Sequence, residues 1–338
     1  MEIKNKKIKV RGEAGMISFY RLKVLIFLLV LNLPYFVYGK DALLVIRQDG
    51  KDFQDALKGI SDELRNDFDI FDKIITKKTE IAEIKKEIDL RQPQIIVLMD
   101  NSTIALFKKY QNSLPDSVPR IPSISLMGVL VQGAIEGLEN ATGISYEIPI
   151  VTSVVSLRAV LKISMKKIGV IHRQFLDDFM SHNRQFCKKE GIEIVNISLP
   201  NKSDNYKSAL KDGLKNLIES KKVDVLWVPN DNAFLQPEIM KDIWIPTLKK
   251  YKIPIIVGVE VLVKPQLNFG TFAVLPDHIS LGSQAAEMVY DIMDNDWNTN
   301  GRKVEPPLAV YKIINFPQVK SNFDINDDLL KSIDKIVK

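Results

Sequence analysis

The polar residues best placed to hold a small molecule fall in two loops of similar make-up, Asp100-Asn101-Ser102-Thr103 and Asn230-Asp231-Asn232. Each loop follows a hydrophobic run and precedes residues at helical spacing, so each reads as the turn from a strand into a helix. At such a turn the free N–H groups of the helix favour an anion, and a carboxylate in the turn favours a cation. Met127-Gly128, His172-Arg173-Gln174 and Gly258-Val259-Glu260 end other hydrophobic runs in the same way. The candidate binding set is therefore Asn101, Ser102, Thr103, Met127, His172, Arg173, Asn230, Asp231, Asn232 and Glu260. Ser102 or Asn101 would also serve as an ordinary helix N-cap. Two such loops facing each other across a cleft suit a zwitterion or another small polar molecule, its carboxylate on helix N–H groups and its cation on Asp231 or Glu260.

Residues for catalysis are missing from the pattern. There is no Gly-x-Ser-x-Gly turn, no glycine-rich phosphate loop ending in Gly-Lys-Ser/Thr, and no His-Glu-x-x-His. His172, His182 and His278 have no metal-ligand spacing, so neither a metal nor a cofactor is expected. The single cysteine, Cys187, sits at an apolar position of an expected helix and reads as a small buried hydrophobe. It also excludes an intrachain disulfide and any two-cysteine mechanism. Binding, rather than an enzyme reaction, is the expectation.

The elements that must position these loops alternate regularly. Strands are expected at Ala42–Ile46, Ile70–Thr76, Gln94–Met99 and Ile121–Leu126. Helices are expected near Phe53–Leu64, Glu80–Leu90 and Val129–Leu138. A second series runs through helix Val151–Ile163, strand Lys167–Ile171, helix Phe175–Lys189, strand Ile192–Leu199 and helix Asp204–Ser220. Strand Asp224–Val228, helix Ala233–Tyr251 and strand Ile253–Val257 follow. Thr271–Leu275, a helix over Ile279–Met293, an extended run Leu308–Phe316 and a helix Asp327–Val337 complete it. Continuous apolar strands separated by amphipathic helices define two α/β lobes, each with a doubly wound, mostly parallel sheet.

The net charge of +5 resides entirely in residues 1–39; the rest of the chain carries 40 basic and 40 acidic residues. Basicity therefore belongs to the leader and gives no ground for nucleic-acid binding. Arg21 and Lys23 precede the apolar run Val24–Leu31, and Val37-Tyr38-Gly39 offers a cleavage site before Lys40. Residues 1–39 thus read as a secretory signal or an N-terminal anchor, with Met1 or Met16 as the start. The remainder reads as a soluble, extracytoplasmic monomer.

The order of motifs in the second half carries a family resemblance. Lys167-Ile168-Gly169-Val170-Ile171, Lys189-Glu190-Gly191-Ile192-Glu193 and the stretch Val223–Asn232 come first. Ile253-Pro254-Ile255-Ile256 and Gly282-Ser283-Gln284-Ala285-Ala286-Glu287-Met288 continue it. In this order the chain, over about Ala42 to Asn315, resembles the ABC transporter substrate-binding family that includes TrpX-like binders of aromatic amino acids. The resemblance implies a type I periplasmic binding protein fold: two Rossmann-like lobes joined by three crossings and closing on ligand like a hinge. It implies crossings near Gly143–Glu147, Gly270–Ala273 and Leu308–Tyr311. Lobe one is then 40–145 plus 272–307, and lobe two 146–271 plus 308–338. It also implies ligand contacts at Asn101, Ser102, Thr103, Asp231 and Asn232, and a permease in the membrane as partner. Val259 departs from it, standing where an acidic residue is expected. A sensory module reporting to a membrane partner would use the same cleft.

Overall fold

The computed structural model describes residues 39–338, and the leader read in residues 1–38 lies outside the described residues. Five strands form the first sheet: β1 (Asp41–Arg47), β2 (Phe68–Ile74), β3 (Ile95–Met99), β4 (Ser123–Leu126) and β5 (Ala141–Gly143). They pair in parallel in the order β2-β1-β3-β4-β5. The reason is visible in β1 and β3, whose Leu43–Ile46 and Ile95–Met99 are apolar on both faces and essentially fully buried. Helices α1 (Lys51–Leu64), α2 (Ile81–Arg91) and α3 (Asn101–Asn112) cover the sheet.

The second sheet holds β6 (Lys167–Arg173), β7 (Glu193–Leu199), β8 (Val225–Val228), β9 (Ile255–Val257), β10 (Phe272–Pro276), β11 (Val310–Asn315) and β12 (Lys335–Val337). Their order is β12-β11-β10-β9-β8-β6-β7, all pairs being parallel except β10 with β11. Helices α4 (Ile150–Val160), α5 (Asp177–Lys189) and α6 (Tyr206–Lys215) belong to this half. In each sheet the first strand lies between the second and the third, so the direction of winding reverses at β1/β3 and at β6/β8. Ligands of open α/β sheets bind beyond the carboxyl ends of strands at such reversals.

Three connections join the halves. Ile144 bridges Glu305, Ser145 donates its N–H to the Glu305 carbonyl at 2.8 Å, and Asp277 donates to that of Ala309 at 3.1 Å. Helix α7 (His278–Asp294) then packs against α1, with Leu281, Ala285, Val289 and Ile292 buried at helical spacing. Strand β10 belongs by its pairings to the second sheet, which corrects the boundary read at 272: that crossing follows Pro276.

Four further expectations give way to local chemistry. The helix read at Val129–Leu138 shrinks to the turn Val131–Ala134, since Leu130 and Gly137 take left-handed backbones. The helix at Ala233–Tyr251 begins only at Pro237 and widens to π geometry over Met240–Trp244. Pro246 has no N–H to continue the ladder there. Helix α6 widens in the same way over Asn216–Ser220. At the end of the chain only Asp327–Leu330 is helical; Lys335–Val337 instead adds a parallel strand to β11 and buries Val337.

Candidate functional site

The two reversal points are built alike. In the first lobe Gln48, just after β1, donates its side-chain amide to Asp100, just after β3. In the second, Arg173 at the end of β6 grips Asp231 beyond β8, with Nε and Nη2 each donating at 2.7 Å. Both aspartates then turn inward on their own backbone. The Asp100 carboxylate accepts from the N–H groups of Ser102 and Thr103, and that of Asp231 from Ala233. Asp100, rather than Asn101 or Ser102, is therefore the N-cap of α3.

Asn101 serves the neighbouring loop: its side chain donates to the Val129 carbonyl at 2.8 Å and accepts from the Val129 N–H. Asp100, Met127 and Leu130 all have left-handed backbones, with φ of 91°, 59° and 49°. Each such residue costs about 1–3 kcal/mol, and strain of this kind gathers at ligand loops. The Leu130 N–H is tied to Oε1 of Glu147 at 2.8 Å.

Between these loops lies a small cavity of about 20 Å³, room for about one water molecule. Val129 lines it from the first lobe, and Tyr146, Glu147 and Ile148 from the first crossing. Leu176, Trp227, Pro229, Asn230 and Gly258 line it from the second. Larger cavities of about 560 and 920 Å³ lie around Tyr251–Ile255 and Arg120–Pro122, at the amino ends of strands, and one of about 840 Å³ opens beside Glu147, between Leu130–Glu136 and Phe175–Phe186. Oδ1 of Asn230 is buried without a hydrogen-bond partner, and its amide reaches the Gly258 carbonyl only at 3.5 Å. Such an orphaned acceptor is uncommon and asks for a donor.

Of the candidates, Asn230 alone lines the cavity. Asp231 is buried, and both of its oxygens are engaged by Arg173. The Arg173 guanidinium also donates to the Asn201 carbonyl and lies 4.7 Å from the centre of the Phe175 ring. His172 is fully buried; Asn196 donates to its Nε2 at 2.7 Å, so Nδ1 carries the proton toward the Arg173 carbonyl. Burial lowers its pKa and so favours the neutral form. Glu260 turns to Lys335 and Lys264, at 2.8 and 3.3 Å. Thr103 is buried and bonded to Asp100, Met127 packs on the first core, and Ser102 and Asn232 are exposed. Among the described residues no group of three or more His, Cys, Asp or Glu is arranged to hold a metal.

The sequence reading missed Glu147 and Tyr146, and it marked the loop of Gly258 for Glu260 instead. The available signal was position: a charged residue inside a crossing must stand at the floor of the cleft. Tyr146 donates to, or accepts from, Nε2 of His278 at 3.0 Å, and its ring stacks on that imidazole. Burial pushes the Tyr146 phenol up and the His278 imidazole down. Trp227 is core on one side, stacked 5.8 Å from Phe179, and cavity wall on the other.

Burial likewise raises the carboxyl of Glu147 above its ordinary 4.5, against the pull of the Leu130 N–H. With the folded value above the unfolded one, the cost of holding the charge vanishes below pH 4.5 and is present at neutrality. Glu147→Gln, which keeps an acceptor for Leu130, is expected to raise Tm at pH 7. That gain should fade as the pH approaches 4.5; paired melts across this range check it, and a gain that persisted would assign it to packing.

No family model matches the chain, and no curated protein matches it. Solved structures do. A ligand-free, open structure of CD0873, a substrate-binding protein with adhesive properties from Clostridium difficile, aligns with a TM-score of 0.59 at 16% identity, covering 89% of this chain and all of that one. An ABC domain from Streptococcus pneumoniae in complex with L-Trp aligns with a TM-score of 0.54 at 17% identity, covering 88% of this chain and all of that one. A periplasmic ribose ABC transporter structure from Conexibacter woesei gives 0.50 at 15%, covering 84% and 94%. The fold is therefore that of the type I periplasmic binding proteins, two α/β lobes around a cleft. Of the similar structures named above, one is a substrate-binding protein, one an ABC domain holding L-Trp and one a periplasmic ribose ABC transporter protein.

Proposed function

We propose that this protein is the extracytoplasmic solute-binding component of an ABC importer, holding a small polar molecule of amino-acid-like size between its lobes for a membrane permease. The observation that supports this reading most is the cavity at the carboxyl ends of both sheets, walled by both lobes and a crossing. Its orphaned Asn230 Oδ1 is an acceptor held ready for a ligand donor. A cavity of this size admits a solute only after the lobes part, and the three crossings supply the hinge. Ligand then stabilises the closed form by its higher affinity for that state. Among the described residues no helix is long and apolar enough to cross a membrane.

Thermal shift with the purified chain against amino acids, amines, sugars, purines and short peptides tests the reading. One chemical class should raise Tm by mass action, and Gly258→Ala should abolish most of that rise. A Cβ at Gly258 would stand 2.6 Å from the Asn230 amide and intrude on the cavity. A methyl group in a fitted pocket changes affinity by about tenfold or more, whereas the stability of the unliganded protein should change little. A Tm indifferent to every class would remove the solute-binding role.

A further inference from the structure

The charge of the cleft narrows the ligand, on the reading that the cleft binds a solute. We propose that it takes an organic cation, a small amine or amidine without a free carboxylate, whose N–H groups donate to Glu147 and to Asn230 Oδ1.

Two sets of contacts support this. The first concerns donors for an anion. Five N–H groups of the reversal-point loops are taken by oxygens of the chain itself: Ser102 and Thr103 by Asp100, Val129 by Asn101, Leu130 by Glu147 and Ala233 by Asp231. N–H groups filled in this way are lost to a ligand anion, which weighs against a ligand carboxylate held by them.

The second concerns acceptors. Among the residues lining the cavity none is basic, and the nearby guanidinium of Arg173 is neutralised by Asp231. What the cavity offers is one carboxylate, one orphaned amide oxygen, and the aromatic walls of Tyr146 and Trp227. A cation satisfies both acceptors, with the aromatic side chains of Tyr146 and Trp227 beside it.

Isothermal titration with three matched series tests the proposal: tryptamine, L-tryptophan and indole-3-acetate; phenethylamine, L-phenylalanine and phenylacetate; 1,4-diaminobutane, 4-aminobutanoate and succinate. In at least one series the amine should bind tightest and the carboxylate least. Glu147→Gln should weaken that amine by about tenfold to a hundredfold, the range for a charge-assisted bond. Asn230→Asp should strengthen it, a gain that a merely structural role for Asn230 would not produce. Tightest binding by a zwitterion or an acid, or an amine affinity unmoved by Glu147→Gln, overturns the cation assignment and leaves solute binding standing. Failure of every member here, together with an indifferent Tm across the broader panel, overturns both.

Discussion

Gly282→Ala is expected to destabilise the protein by about 3 kcal/mol or more, and Gly59→Ala to do nearly the same. Helices α1 and α7 cross so closely that each glycine touches the other helix's backbone. A Cβ at Gly282 would lie 2.0 Å from the Ala56 carbonyl oxygen, and one at Gly59 would lie 2.0 Å from that of Ile279. Overpacking relieved by side-chain movement costs about 1–3 kcal/mol. Here the obstacle is main chain, so the helices must separate and loosen Ile60, Leu64, Leu281 and Val289, all of them buried. The gain of about 1 kcal/mol in helix propensity on replacing glycine does not offset this. Urea midpoints measure the effect. The double variant should lose less than the sum of the two, because one separation relieves both contacts. An unchanged midpoint would mean that the two helices part without cost, against the geometry.

Asp231→Ala is the second large effect, and its direction reverses what the sequence suggested. As a ligand contact, Asp231 would lose affinity far more than stability on truncation. In the structure its carboxylate is fully buried, receives both arms of Arg173 and caps Ala233. Removing one partner of a buried pair costs about 3–5 kcal/mol. Arg173 is partly exposed and can take up water, which brings the expected loss to about 2–3 kcal/mol. Asp231→Asn, which keeps an oxygen for Ala233, should fall between that variant and the parent. Thermal melts and titrations of the same samples separate the two roles. A melting temperature equal to that of the parent, with affinity lost, would restore Asp231 to the ligand.

The contrast between Asp231 and Glu147 shows where reading a sequence stops. Loop composition marked Asp231 because it stands beside two asparagines after a buried strand, and that placement is right. Whether its charge faces a ligand or Arg173 depends on the spacing of β6 and β8, which pairing across the sheet sets. Glu147 lies in a stretch with no periodicity, between Tyr146 and Ile148, and gains its meaning only when the crossing brings it under Val129 and beside Asn230.

The alternation of apolar runs with amphipathic helices was enough to determine two α/β lobes, because strands buried on both faces leave no other pattern. Where helices start and fail was read less well, as the shortened helices after Val129, Ala233 and Asp327 show. Only the tertiary structure decided that β10 stays in the second sheet, that Glu260 pairs with Lys335 across the edge of that sheet, and that the Asp231 carboxylate meets Arg173. These outcomes depend on which groups distant in sequence meet within hydrogen-bond reach, and no pattern along a single strand of sequence encodes that distance.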